Sequence, residues 1–242
     1  MPEATRVPAM LRVKIVPLSA TPPQGTARST RTGRPIPMRD RPHLGIRAEF
    51  AKRVPTEAVE MEAPERSRTF LVIGGVRSGK SRFAQRLALH LAKDPIYLAT
   101  SRVYDDDHRR RIERHRAERG PEWTTVEEPI ELSKAPLAGR VAVVDCLTLW
   151  LNNCFFNRDS DAESTLEFVT AELERLLALP ATLILVTNEI GQGVHPPTEV
   201  GRRFADLQGL LNQLAAARAD SVTLMVAGLA HQIKGQLGEG AP

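Results

Sequence analysis

From Phe70 onward the apolar positions change period again and again, and each change marks an element. Short apolar runs at Phe70–Gly74, Ile96–Thr100, Val141–Asp145, Thr182–Asn188 and Val222–Val226 predict strands, with a shorter one at Trp123–Glu127. Between them, helices are predicted at Lys80–Ala92, Asp105–Arg119, a turn-and-helix region ending at Phe156, about Ala162–Leu179, and Glu199–Ala219. The runs at Leu71, Val141, Leu183 and Val222 are continuously apolar, as strands covered on both faces must be. This alternation predicts an α/β fold, a mostly parallel sheet flanked by helices, in one domain spanning residues 69–242.

Residues 1–68 break the pattern. They hold 10 of the 18 prolines, many Arg, Ser and Thr, and only Met10–Val16 as a run able to pair as a strand. So little apolar surface cannot offset the entropy of ordering, and a disordered extension is expected. Its Arg and Ser/Thr content resembles a transit peptide, against which its acidic residues stand. The plainer reading is a mis-set start, with Met61 the better one. The charge follows the same boundary. Of 33 basic and 29 acidic residues, 13 and 7 precede residue 69, leaving 20 against 22 beyond it. The net charge of +4 therefore belongs to the extension, and no nucleic-acid partner is expected for the domain. No apolar run approaches the roughly 20 residues of a membrane span. Cys146 and Cys154 show neither metal spacing nor a disulfide framework, so a cytoplasmic protein is expected.

The chemistry begins at Gly74-x4-Gly79-Lys80-Ser81, which follows the Leu71-Val72-Ile73 strand and opens a helix. Glycines let backbone N–H groups wrap phosphates, a lysine reaches the β/γ oxygens, and a serine at the helix's positive end can ligate Mg²⁺. Asp145 ends the buried run Val141-Ala142-Val143-Val144, where P-loop folds place the acid that holds Mg²⁺; a strand-terminal Asp is also a common capping residue.

The segment Asp105–Arg119 has Ile112 as almost its only large apolar residue, so it is a solvated helix, an interface or a cover over a site. His108 and His115, seven apart, share a face, but no i,i+4 pair or third soft ligand supports a metal. Among Arg111, Arg114, Arg116 and Arg119, an imidazole is held neutral by like charge while the arginines attract phosphate, which suits a nucleophile acting on a nucleoside triphosphate.

The P-loop, Leu98-Ala99-Thr100-Ser101, Arg111-Ile112-x-x-His115-Arg116, Trp123-x-Thr125-x-Glu127, Asp145-Cys146-Leu147-Thr148 and Thr187-Asn188-Glu189-Ile190-Gly191 occur in that order. Together they closely resemble the bifunctional adenosylcobinamide kinase / adenosylcobinamide-phosphate guanylyltransferase family of cobalamin synthesis, over about Phe70 to Lys234. The resemblance implies a RecA-like P-loop NTPase fold, a homotrimer, and ATP and GTP used with Mg²⁺. It implies phosphorylation of adenosylcobinamide, then transfer of GMP from GTP through a guanylyl-histidine that maps onto His115. Lys80 would be catalytic with it. Nucleotide contacts map onto Gly74, Gly75, Val76, Arg77, Ser78, Gly79, Lys80, Ser81, Thr100, Ser101, Arg102, Arg116, Ala117, Glu118, Arg119, Glu127 and Asp145, and metal contacts onto Ser81 and Asp145. A kinase lacking the second activity and a nucleotide-dependent regulatory ATPase are the alternatives. The nucleophilic histidine distinguishes the first reading from both.

Overall fold

The computed structural model describes residues 67–102, 110, 119–238 and 240–242. The expectations for residues 1–66 and for the segment bearing His108, His115, Arg116, Ala117 and Glu118 lie outside the described residues.

The described chain runs β1 (Thr69–Gly74), α1 (Lys80–Leu91), β2 (Ile96–Ala99), β3 (Thr124–Glu127), a short 3₁₀ turn (Leu132–Lys134), β4 (Val141–Asp145) and α2 (Leu147–Phe156). It continues with α3 (Ala162–Leu177), β5 (Thr182–Asn188), α4 (Glu199–Arg218), β6 (Ser221–Val226) and β7 (Leu229–Lys234). The strands form one sheet in the order β3-β2-β4-β5-β1-β6-β7, parallel throughout except for β7. The α/β, mostly parallel architecture expected from the hydrophobic pattern is therefore observed.

Because successive strand residues point to opposite faces, the sheet sorts its side chains into two cores. On one face Phe70, Val72, Tyr97, Val143, Ile184 and Val186 pack under α1, which offers Phe83, Ala84, Leu87 and Ala88 from one helical stripe. On the other, Leu71, Leu98, Ala142, Val144, Leu183 and Leu185 are covered by Trp150 and Leu151 of α2, Val169 and Leu173 of α3, and Leu207 and Leu211 of α4. The helices begin where capping chemistry allows. Asp161 accepts a hydrogen bond from the Ser164 N–H at 2.8 Å before α3, and Thr198 accepts from the Gly201 N–H at 3.1 Å before α4.

Strand β7 was not expected from the sequence. It folds back along β6 through Ala227 and Gly228, at φ 51° and 85°. A two-residue hairpin turn of this hand wants Asn-Gly or Asp-Gly, and the alanine hides it. None of the described helices is long and apolar enough to cross a membrane.

Candidate active site

The carboxyl ends of β1, β2, β3 and β4 bring the described candidate residues Gly74 to Ser81, Thr100 to Arg102, Glu127 and Asp145 to one end of the sheet. At the end of β1 the chain enters the loop Gly74–Ser81, whose crest, Gly75 to Arg77, is exposed while Ser78 and Lys80 are buried. Gly74 has no room for a side chain: a Cβ there would lie 2.4 Å from the Met225 carbonyl oxygen of β6. Gly79 takes φ 97°, and turns the chain into α1 without side-chain capping and without an acidic residue in the first turn. The helix's positive end thus faces the loop, as an anion site requires.

The loop is fastened to both neighbouring strands. The Glu189 N–H after β5 donates to the Gly74 oxygen at 3.0 Å, and the Gly228 N–H of the β6–β7 turn donates to the Ser78 oxygen at 3.0 Å. Lys80 bends back over the loop and donates to the Gly75 oxygen at 2.6 Å, with the Ser78 hydroxyl 3.5 Å away. Burial, the dominant cause, pulls its ammonium below the ordinary lysine range. A buried lysine is therefore held at the phosphate loop.

Asp145 ends β4, in register with Ala99 of β2, which in turn pairs with Glu127 at the exposed end of β3. Directly paired residues share a face, so Asp145 and Glu127 both stand on the α1 side. The Tyr97 hydroxyl donates to Asp145 Oδ2 at 2.7 Å. Burial, and then the Asp145 charge, raise the phenol far above its ordinary ionisation range, so it remains a donor.

Thr100, fully buried, holds the turn from β4 into α2. Its hydroxyl donates to the Cys146 oxygen at 2.8 Å and accepts from the Cys146 N–H at 2.9 Å, while Asn153 Nδ2 donates to the Thr100 oxygen at 2.7 Å and to the Pro129 oxygen at 3.1 Å. The Asp145–Cys146 peptide within this turn is cis. The Ser101 hydroxyl turns to the Arg102 oxygen at 3.3 Å, and exposed Arg102 reaches Asn157 Oδ1 at 3.2 Å. The Arg119 guanidinium lies 3.8 Å from the Tyr97 ring centre. The end of β5 is set by Thr148, which accepts from the Asn188 N–H, and by a buried network of Thr187, Gln208 and Asn212. Sequence reasoning passed over Tyr97, Gln208 and Asn212. Tyr97 carried a signal, a phenol within an otherwise apolar strand, because a buried hydroxyl needs a partner.

Both cysteines are buried, and burial pushes each thiol up to about 12. Unfolded thiols ionise near 8.5. Between these limits the unfolded chain binds fewer protons, so the thiol contribution is intact below the unfolded value and is lost as pH rises. The slope is about 1.4 kcal/mol per pH unit for each thiol, about 2.8 for the pair. Urea unfolding at pH 8 and pH 10 should therefore show a steeper alkaline loss in the native chain than in Cys146→Ala/Cys154→Ala. Equal slopes would mean that the thiols ionise freely in the fold.

A glycine-rich loop leaving a central parallel strand, a buried lysine upon it and an acid at the end of a second strand define a P-loop NTPase of the α/β class. The family model described as CobU, cobinamide kinase / cobinamide phosphate guanyltransferase, matches residues 70–233. The chain belongs to that family. It is 44% identical over 173 residues to the bifunctional adenosylcobalamin biosynthesis protein CobP of Pseudomonas aeruginosa, covering 69% of this chain and 97% of that one. The corresponding protein CobU of Escherichia coli is 36% identical, and that of Salmonella typhimurium 37%, each over 68% of this chain and 98% of the relative. Among solved structures, the flagellar accessory protein FlaH from Methanocaldococcus jannaschii matches 70% of this chain and 79% of its own at 15% identity and TM-score 0.39, a likeness too distant to bear on the site.

Proposed function

We propose that this enzyme uses its P-loop for the two successive reactions of its family. It transfers the γ-phosphoryl group of ATP or GTP to the hydroxyl on the aminopropanol arm of adenosylcobinamide, releasing the nucleoside diphosphate. It then takes GMP from GTP onto His115, with loss of pyrophosphate, and passes the guanylyl group to the new phosphate. The product is adenosylcobinamide-GDP, and His115 is set free. The observation that carries the first step is the buried Lys80 ammonium, bonded to the loop oxygen of Gly75. Gly74 to Ser81 would cradle the triphosphate, with Glu127 and Arg119 at the same end of the sheet. The other polar groups from Thr100 to Arg102 shape that end. Thr100 would act through the turn after Asp145, since its hydroxyl is bonded to Cys146.

The Ser81 hydroxyl and the Asp145 carboxylate are hard oxygen donors of the kind Mg²⁺ takes, and would hold it beside the phosphates. When bound, the ion supplies charge neutralisation at the β- and γ-oxygens. We read the working form as a cytoplasmic homotrimer, on the family resemblance. Arg116, Ala117 and Glu118 are proposed to surround the guanine nucleotide during the second step.

The test is to incubate the protein with Mg²⁺ and GTP labelled at the α-phosphate, then add adenosylcobinamide in one arm and adenosylcobinamide phosphate in another. The label should enter the protein as an acid-labile, alkali-stable phosphoramidate and then chase into adenosylcobinamide-GDP. Phosphorylation without labelled protein would support a kinase alone, and hydrolysis without either product would support a regulatory ATPase.

A further inference from the structure

We propose that Tyr97 is a positioning residue for nucleotide chemistry, fixing the carboxylate of Asp145 through its phenol hydroxyl. The inference rests on the reading of Asp145 as a metal-holding acid and adds a residue to it. A carboxylate at the end of a strand turns readily about its last torsion, which is broad and roughly two-fold. Here that torsion is set by a 2.7 Å hydrogen bond to Oδ2. Sheet geometry makes the bond possible. Tyr97 pairs with Val143 across the β2–β4 ladder, and Asp145 lies two residues further along on the same face, within reach of a phenol.

The ring is itself held from two other sides. Trp123 packs against it nearly at a right angle, 82°, with centroids 6.1 Å apart, and Arg119 covers it with the guanidinium carbon 3.8 Å from the ring centre. Arg119 Nε is buried without a hydrogen-bond acceptor among the described residues, and its terminal nitrogen reaches the Thr125 hydroxyl only at 3.5 Å. The ring is therefore its main seat. With Tyr97 only 6% exposed and its ring clamped in this way, the hydroxyl has little freedom to move, and neither does the oxygen that accepts from it.

A phenylalanine would pack the same space, and a buried hydroxyl is unfavourable unless satisfied. The competing explanation is that Asp145 serves merely as the partner that Tyr97 needs. The two differ in what happens when the hydroxyl is removed. If Asp145 exists to satisfy Tyr97, Tyr97→Phe does nothing to nucleotide binding; if Tyr97 aims Asp145, the metal-dependent part of binding weakens while the metal-independent part stays.

The experiment measures GTP affinity by calorimetry, with Mg²⁺ and with EDTA, for the native chain, Tyr97→Phe, Asp145→Asn and the double variant. Tyr97→Phe should weaken binding in Mg²⁺ by about tenfold, the scale of a hydrogen bond to a charged group, with the EDTA affinity and melting temperature retained. The double variant should be no weaker than Asp145→Asn alone, because Tyr97 acts only through that carboxylate. If Asp145→Asn loses Mg²⁺ dependence while Tyr97→Phe keeps it, the inference fails and the reading of Asp145 stands. If Asp145→Asn keeps its Mg²⁺ dependence, the reading of Asp145 fails and the inference falls with it. Loss of folding in Tyr97→Phe would make the hydroxyl structural and would also overturn the proposal.

Discussion

Lys80→Ala should lower phosphorylation of adenosylcobinamide by roughly 10²–10³-fold or more at saturating nucleotide and Mg²⁺, equivalent to about 3–4 kcal/mol of transition-state stabilisation. The ammonium sits buried against the Gly75 oxygen, where a charge acts on its neighbours far more strongly than in water. Phosphoryl transfer spreads charge over the oxygens that this ammonium would meet, and a methyl group answers none of it. The fold should survive. Burial already disfavours the protonated lysine, so its removal relieves a desolvation penalty as well as losing one hydrogen bond to the loop. Melting temperature should accordingly change little while turnover collapses. A variant that keeps near-normal turnover would refute the assignment of the loop as the phosphate site.

His115→Ala should abolish labelling of the protein by α-labelled GTP, together with formation of adenosylcobinamide-GDP, and should leave substantial kinase activity. A neutral imidazole can attack the α-phosphorus and expel pyrophosphate, and an unperturbed pKa of about 6.5 leaves most of it unprotonated at neutral pH. Arg116 and Arg119, one and four residues further along the chain, add positive charge that favours the neutral form and offsets the crowded phosphates. Phosphorylation of the hydroxyl, proposed above as a direct transfer at Lys80, would need no adduct, so the two activities should separate cleanly. His108→Ala serves as the control and should still take the label. Labelled His115→Ala protein, or a folded His108→Ala protein without label, would move the nucleophile elsewhere.

Much of this molecule is legible in its sequence because buried parallel strands leave an unambiguous trace. The runs Val141–Asp145 and Thr182–Asn188 are apolar through their centres, and both strands fall at the residues expected. The P-loop is legible for a different reason. Its glycines answer a steric demand, and the 2.4 Å approach of the Met225 oxygen to a Cβ at Gly74 is that demand made visible. What escaped was set by neighbours distant along the chain. Strand β7 has both faces largely exposed and a turn begun by alanine, so neither period nor punctuation announces it. Tyr97 looks like any strand aromatic until β4 brings Asp145 beside it, and Gln208 looks like a solvated helix residue until Thr187 and Asn212 enclose it. The proposed nucleophile, His115, rests on charge arrangement and resemblance alone, and it lies outside the described residues.

The placement of β1 at the heart of the sheet has a consequence for the order of events during synthesis. Its ladder partners are β5 and β6, each over a hundred residues downstream, and the last turn to touch its loop is the one at Gly228. A nascent chain that has emerged only as far as β4 therefore displays the glycine-rich loop with no strand on either side of β1. Loop-closure entropy must be met in full before those pairings form, which makes this a slow, late step. A nucleotide site at this loop would therefore be complete only once β6 and the turn at Gly228 have been made.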